Sequence, residues 1–495
     1  MGRILTNNTS LAVAIEESLG VLPAQPTWDL LEPNSVGAFG STISTTARDP
    51  ISRNRQRRKG TITDLDSAVD FDADLTGSHF DTFAEGFVFS EFLGEVERPT
   101  SDVTATTATI LTGTVLPAGT LVRGRGFALD VNNGVHLVTA STATTIDAAT
   151  LGLETPPARA FMEVVGYQFA AADLTVTVTN GETTLVSAAS AWANVPLVVG
   201  AYIHVGDADD AFRFFPAPGV DSSGLARVTA VTAGVVTIDK LSQTFTDATT
   251  TAGTVRVFYG PFLGNVATDD ANFEERSFQF ELEKPGLATN GTASMFSYSK
   301  GNFCNTMAIT APLADKATVA FAFIGTDTAP PVDAASRATN ADAALEPLKT
   351  VAYNTTTDCA RMRIANVDGT GLSTDFKSLS VTLNNNVSPE KVLCNLGAKY
   401  MNYGNFEVNI EAQLVFTEAE VVDAIRDNRT VSMELALTND DGVIVLDIPS
   451  MTIGGGGIEF PVNESVLINV TSEAFQDPTT GNSIGITKLA FIPEM

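Results

Sequence analysis

From Thr61 to Leu75 the chain alternates residue by residue, and this alternation limits its possible folds more than any other stretch. Leu65, Val69, Phe71, Ala73 and Leu75 fall on one side, while Asp64, Asp66, Asp70, Asp72 and Asp74 fall on the other. Period two over that length predicts a long strand with one apolar and one carboxylate face. Ser78-His79-Phe80-Asp81 reads as a capping box. Phe80, Phe83 and Phe87 follow at helical spacing, predicting a short helix that folds back onto the apolar side. The same order recurs between Asn405 and Leu437. Phe406, Val408, Ile410, Ala412, Leu414 and Phe416 alternate with Glu407, Asn409, Glu411 and Gln413. Thr417-Glu418-Ala419-Glu420 is again a capping box, followed by Val421, Val422 and Ile425. The recurrence predicts an internal duplication.

A row of aspartates on one strand face sets neighbours roughly 7 Å apart. In water each adjacent pair repels by about 0.6 kcal/mol, and salt screens over about 8 Å. Burial would cost several kcal/mol per ion, so the aspartate face must border water. An ordinary solvated outer sheet and the wall of a water-filled channel both satisfy that condition.

The net charge of −29 argues against a protein that grips nucleic acid by its phosphates. Abundant Thr, Ala, Val and Gly favour β-rich architecture. Cys304, Cys359 and Cys394 are an odd number without metal-ligand spacing and read as reduced, small hydrophobes. The first residues lack the apolar core of a signal peptide, and no apolar run is long enough to span a bilayer.

Residues Asn7 to Pro33 read as an arm, with a short helix predicted over Leu11 to Gly20. Ser41 to Ala47 is predicted as a strand. The loop after it carries the densest basic run, Arg53, Arg55, Arg57, Arg58 and Lys59. That run reads either as a solvated loop or as a contact with acidic surface on another copy of the chain; a direct grip on DNA is opposed by the surrounding field. Between Pro99 and Gly260 a β-rich pattern runs twice, with Gly119-Thr120-Leu121-Val122 answered by Gly200-Ala201-Tyr202-Ile203. It predicts an inserted domain, 99–260, of two small β-barrel or sandwich modules at about 99–168 and 169–260. Alternation resumes at Ser277. The predicted first domain is therefore 1–98 plus 261–335, followed by a linker over 336–360 and a second domain over 361–495. The fold class is mainly β, sandwich or barrel domains with one short helix each.

Chemistry is sparse. His79, His136 and His204 are isolated, and the chain has no Gly-x-Ser-x-Gly or phosphate loop. Asp70-Phe71-Asp72-Ala73-Asp74 looks like the start of a calcium loop, but Leu75 stands where the turn glycine is needed. Asp207, Asp209 and Asp210 make a similarly weak case. No catalytic residue, cofactor or metal is expected, and no enzyme.

The order of elements in Gly40–Phe92, Phe278–Gly325 and Leu379–Ile448 resembles the tail tube protein of long-tailed, non-contractile phages. The likeness is carried by Lys59-Gly60-Thr61-Ile62-Thr63 with its acidic strand, the Ser78 and Thr417 boxes, and the run Ser378 to Asn386. Asp440-Asp441-Gly442 and Ile448-Pro449 also fit. It covers the two duplicated domains and not the insertion. The resemblance implies a structural virion protein that assembles into stacked rings, with sheets joined into an inner β-barrel and helices outside. For a duplicated chain it implies a ring of three with pseudo-six-fold symmetry. Asp64, Asp66, Asp70, Asp72, Asp74, Glu407 and Glu411 would then face the bore, an acidic lining along which double-stranded DNA slides without specific binding. Arg53, Arg55, Arg57, Arg58 and Lys59 would reach the neighbouring ring or subunit, together with the counterpart loop Asn384 to Gly404. Tape-measure and tail-end proteins are the implied partners. The implied location is the virion tail, assembled in the host cytoplasm without membrane insertion. A surface-layer or adhesin-like acidic β-protein is the first alternative, and a carbohydrate-active enzyme with paired carboxylates the second.

Overall fold

The computed structural model describes residues 6–493 except 52, 54–55, 78–79, 95–96, 158–159, 180–181, 215–222, 241–244, 246–247, 250–253, 287–292, 348–349, 368–370, 373–374 and 418. The chain is mainly β. Strands β1 (Ser10–Ile15), β2 (Asp29–Leu31), β3 (Ser35–Arg48) and β4 (Arg58–Asp74) precede helix α1 (Phe80–Val88). Then come β5 (Arg98–Val103), β6 (Thr107–Ile110), β7 (Thr120–Arg125), β8 (Val135–Ser141), β9 (Thr145–Ala148) and β10 (Phe161–Phe169). They are followed by β11 (Leu174–Thr179), β12 (Glu182–Ser187), β13 (Tyr202–Val205), β14 (Gly224–Val231), β15 (Val235–Ile238), β16 (Ala248–Thr249) and β17 (Val255–Tyr259). Next are β18 (Phe262–Gly264), β19 (Ser277–Lys284), β20 (Met295–Pro312), β21 (Thr318–Gly325) and β22 (Asp327–Val332). The last third holds β23 (Cys359–Asn366), β24 (Phe376–Asn384), β25 (Ser388–Lys391), β26 (Ala398–Asn402), β27 (Glu407–Val415) and helix α2 (Glu420–Arg426). Strands β28 (Thr430–Asn439), β29 (Gly442–Glu459), β30 (Leu467–Ala474) and β31 (Gly485–Leu489) end it. Two compact units result. One comprises Met1–Glu91, Ala267–Thr356 and Lys377–Gln413; the other comprises Phe92–Val266, Thr357–Phe376 and Leu414–Met495.

In the first unit β4 is the long strand that its alternation predicts. Leu65, Val69, Phe71 and Leu75 are buried, and the aspartates lie on the opposite, wetter side. β3 pairs with one edge of β4 and β21 with the other; β21 pairs with β20, and β20 with β24, all antiparallel. Helix α1 covers the apolar face. The Phe83 ring lies 4.9 Å from Phe321, 5.5 Å from Phe278, 5.6 Å from Phe323 and 5.7 Å from Phe71. Such offset and edge-on contacts add to the area that each ring removes from water. Gly86 lets the helix come this close: a Cβ there would meet Cys304 Sγ and the Phe278 ring at 2.9 Å.

One expectation is corrected here. Leu11 to Gly20 is not a helix; it opens with β1, paired between β19 and β2. Leu11, Ala12, Val13 and Ala14 are all buried, so both faces of the strand are covered and period two is lost. The Ser78 box lies outside the described residues.

In the second unit β5–β6–β9–β8–β7–β10 closes into a six-strand barrel, because β10 pairs with both β5 and β7. The order recurs as β11–β12–β15–β14–β13–β17, and β10 continues onto β17. Elsewhere in this unit β23 pairs with β28, β28 with β29, β29 with both β30 and β31, and β18 with β31. Helix α2 lies against β29. The Thr417 box does not form: the residue at the N-cap is Ala419. Glu420 is drawn away from the helix start, its carboxylate accepting from Asn366 Nδ2 at 3.1 Å and the Leu372 N–H at 3.2 Å.

Two pairing patterns match. The order β1–β19–β20–β21, with β22 also on β20, has its counterpart in β23–β28–β29–β30, with β31 also on β29. β20 and β29 both have 18 residues. Glu281 of β19 and Glu434 of β28 are both buried and each is gripped by an arginine, Arg337 and Arg361.

Candidate functional site

The aspartate face of β4 continues across its sheet as small side chains. Register places Asp74 beside Thr318, Thr310 and Ser380; Asp72 beside Ala320, Ala308 and Thr382; and Asp70 beside Ala322, Thr306 and Asn384. The row positions are half-buried or exposed, whereas the alternate residues of these strands (Phe71, Val319, Phe321, Met307, Ile309, Val381, Leu383) are buried. The result is a low, even surface of hydroxyls, methyls and carboxylates. In β27, Glu407 and Glu411 are exposed between buried Val408, Ile410 and Ala412.

The carboxylates are held in place. Ser35 Oγ donates to Asp72, Asn34 Nδ2 to Asp74, and Lys316 Nζ reaches Asp74 at 2.6 Å. Lys391, on β25, bridges Asp64 at 2.7 Å and Asp66 at 2.6 Å. That hydrogen bond holds the Asp64 carboxyl below its ordinary range. Partial burial raises Asp70 instead. The β4 charge is therefore densest over Asp70 and Asp72, where no ammonium or guanidinium partner is among the described contacts. No signal in the sequence links Lys391 to this strand.

The basic run sits where β3 turns into β4. Arg53, Arg57, Arg58 and Lys59 are exposed, and Arg57 pairs with exposed Asp49 at 3.1 Å; Arg55 lies outside the described residues. From Thr42 to Arg48 β3 is exposed throughout, so the two strands extend as an arm beyond the packed sheet.

Among the described residues, no three His, Cys, Asp or Glu side chains converge as a metal site. Asp207 pairs with Arg256 at 2.8 Å, and Asp209 accepts from the Ala211 N–H. His136 is buried between Thr150 and Asn132, and burial lowers its pKa. His79 lies outside the described residues.

A charged cluster missed by the sequence reading lies inside the second unit. Arg227 Nη1 on β14 donates to both Asp447 oxygens at 3.0 Å and to Ser432 Oγ at 3.4 Å. Its Nη2 lies 3.3 Å from Asp239, and the Tyr202 hydroxyl donates to Asp447 at 3.2 Å. Arg361 binds Glu434 alongside and donates to the Leu225 carbonyl at 3.2 Å. Burial pushes Asp447 up to about 7 against the pull of Arg227, and raises Glu434 against Arg361. The available signal was an ionisable residue inside each of three apolar runs: Arg227 after Leu225-Ala226, Glu434 before Leu435-Ala436, and Asp447 after Val443 to Leu446.

A sheet with one greased and one acidic, small-residue face makes this a β-protein that presents a surface. The family model for phage tail tube proteins matches residues 6–471. The chain belongs to that family, and its place is accordingly the virion tail. No curated protein matches the chain. No helix among the described residues is long and apolar enough to cross a membrane.

Proposed function

We propose that copies of this chain close into rings whose acidic, small-residue face lines a bore, and that the rings stack into a conduit for double-stranded DNA. The supporting observation is the row pattern on β4, β21, β20 and β24. Over Asp70 and Asp72, and among the described residues, it offers phosphates neither a cation to bind nor a bulky side chain to catch on, and Lys316 and Lys391 at its ends are already engaged by Asp74, Asp64 and Asp66.

Strand edges indicate how copies join. The second half of β20, Thr306–Pro312, carries β24 on one edge. Among the described residues, the corresponding stretch of β29, Ile453–Glu459, has a partner on one edge only, and so does 14-residue β3. Open edges recruit strands. In the ring, β29 of one copy takes β3 of the next as β20 takes β24. The matching halves are read as a duplication, giving three chains and six similar sheets around the bore. Arg53, Arg57, Arg58 and Lys59 on the projecting arm, with Arg55, meet acidic surface of the adjacent ring. The tape-measure protein fills the bore before DNA, and tail-end proteins cap the stack.

Replacing Asp70, Asp72 and Asp74 together by Lys tests the lining. Because each cation adds a phosphate contact, tails built from the variant are expected to assemble but to eject DNA about ten-fold more slowly or worse. Ejection at the native rate would contradict the assignment.

A further inference from the structure

The inserted stretch is held on the second half of the chain by a seam that lies wholly inside the second unit. Tyr202 and Leu225, on β13 and β14, pack with Ala436, Val443, Val445 and Leu489, and the Tyr202 N–H donates to Thr487 Oγ1 at 3.0 Å. Within this apolar seam sit Arg227 and Asp239 from the insertion and Glu434 and Asp447 from β28 and β29, all buried, with half-buried Arg361 of β23 beside them. Three carboxylates therefore face two guanidiniums. The Tyr202 hydroxyl, neutral and donating to Asp447, adds no charge. Asp477, held separately by Ser450 Oγ at 2.7 Å and the Thr479 and Thr480 N–H groups at 2.8 Å, adds a further negative charge and no cation. Arg227 is committed to Asp447 and Asp239, and Arg361 to Glu434 Oε1, while no described residue donates to the buried Glu434 Oε2. A surplus negative charge is strongly unfavourable away from water, and such a group neutralises by taking a proton.

We infer that the seam is a proton-dependent clasp: closed, it holds one proton more than when open, and losing that proton loosens β13 and β14 from β28 and β29. The proton belongs to the coupled set of acids rather than to one of them. Burial raises Glu434 and holds Asp447 up at about 7, whereas acids opened to water titrate near about 4. Between those values only the closed seam keeps its proton. Closure is therefore favoured on the acid side and weakens as pH rises through the window. The clasp belongs to the single chain, so its test does not depend on ring formation.

Hydrogen exchange on the full chain at pH 5 and pH 8, corrected for the chemical exchange rate at each value, reads the clasp directly. Amides of β13 and β14 are expected to lose protection about ten-fold or more between the two, because one proton changes the balance about ten-fold per pH unit across the window. Amides of α1 and β21, in the first unit, are expected to change far less. Glu434→Gln leaves an acceptor for Arg361 and balances the charges, so protection of β13 and β14 is expected to differ by less than about two-fold between the two values. Asp447→Asn balances them at a second acid and is expected to flatten the dependence too. Native protection that is the same at both values, or an unchanged dependence in whichever variant folds, would overturn the inference.

Discussion

Arg227→Met is expected to lower the stability of the second unit by about 3–5 kcal/mol at pH 8, because it leaves the Asp447 carboxylate buried without its guanidinium. The loss is expected to shrink on acidification. Burial already holds Asp447 up at about 7 and raises Glu434, whereas in the unfolded chain both titrate near about 4. Between those values the folded chain holds more protons than the unfolded one, so this cluster's contribution falls as pH rises through the window. Removing Arg227 takes away the main influence pulling Asp447 down, so the variant's decline with pH is steeper than the native one. Urea denaturation at pH 5 and pH 8 measures both. An equal deficit at the two values would show that Asp447 does not titrate there. The double change Arg227→Met with Asp447→Leu is expected to recover much of the loss, since the desolvated charge goes with its partner.

Phe83→Ala is expected to cost the first unit about 3–5 kcal/mol, the range for removing a fully buried aromatic ring. Phe83 is 1% exposed and touches rings from β4, β19 and β21, so no single neighbour can swing in to fill the space. Hydrogen exchange reads the effect locally. Amides of α1 and β21 are expected to lose protection by about a hundred-fold or more, while those of the six-strand barrel in the other unit keep theirs. Phe83→Leu keeps most of the volume and is expected to cost about 1.5 kcal/mol or less. Unchanged exchange in α1 of the alanine variant would mean that the helix is not held by this seam.

The sequence made β4, β27 and their helices readable because each strand buries one face, which leaves a period-two record in the residues. β1 escaped because burial on both faces erases that record, and Leu11-Ala12-Val13-Ala14 fits a helix equally well. The acidic, small-residue face was half legible. Aspartates announce themselves, but the rows of Ala308, Ala320, Thr310, Thr318, Ser380 and Thr382 carry no hydrophobic signal and come from strands far apart in the chain. Lys391 reaches Asp64 across 327 positions, a distance over which local pattern says nothing. The Arg227 cluster was visible only as a charge placed where an apolar residue would be expected.

A cryo-electron microscopy map of the assembled chain tests the proposed channel most directly. The expected map has a central bore with Asp70, Asp72 and Asp74 on its wall, Thr310 and Thr382 beside them, and α1 on the far side of the sheet. A map with those aspartates on the outer surface, or with no bore at all, would contradict it.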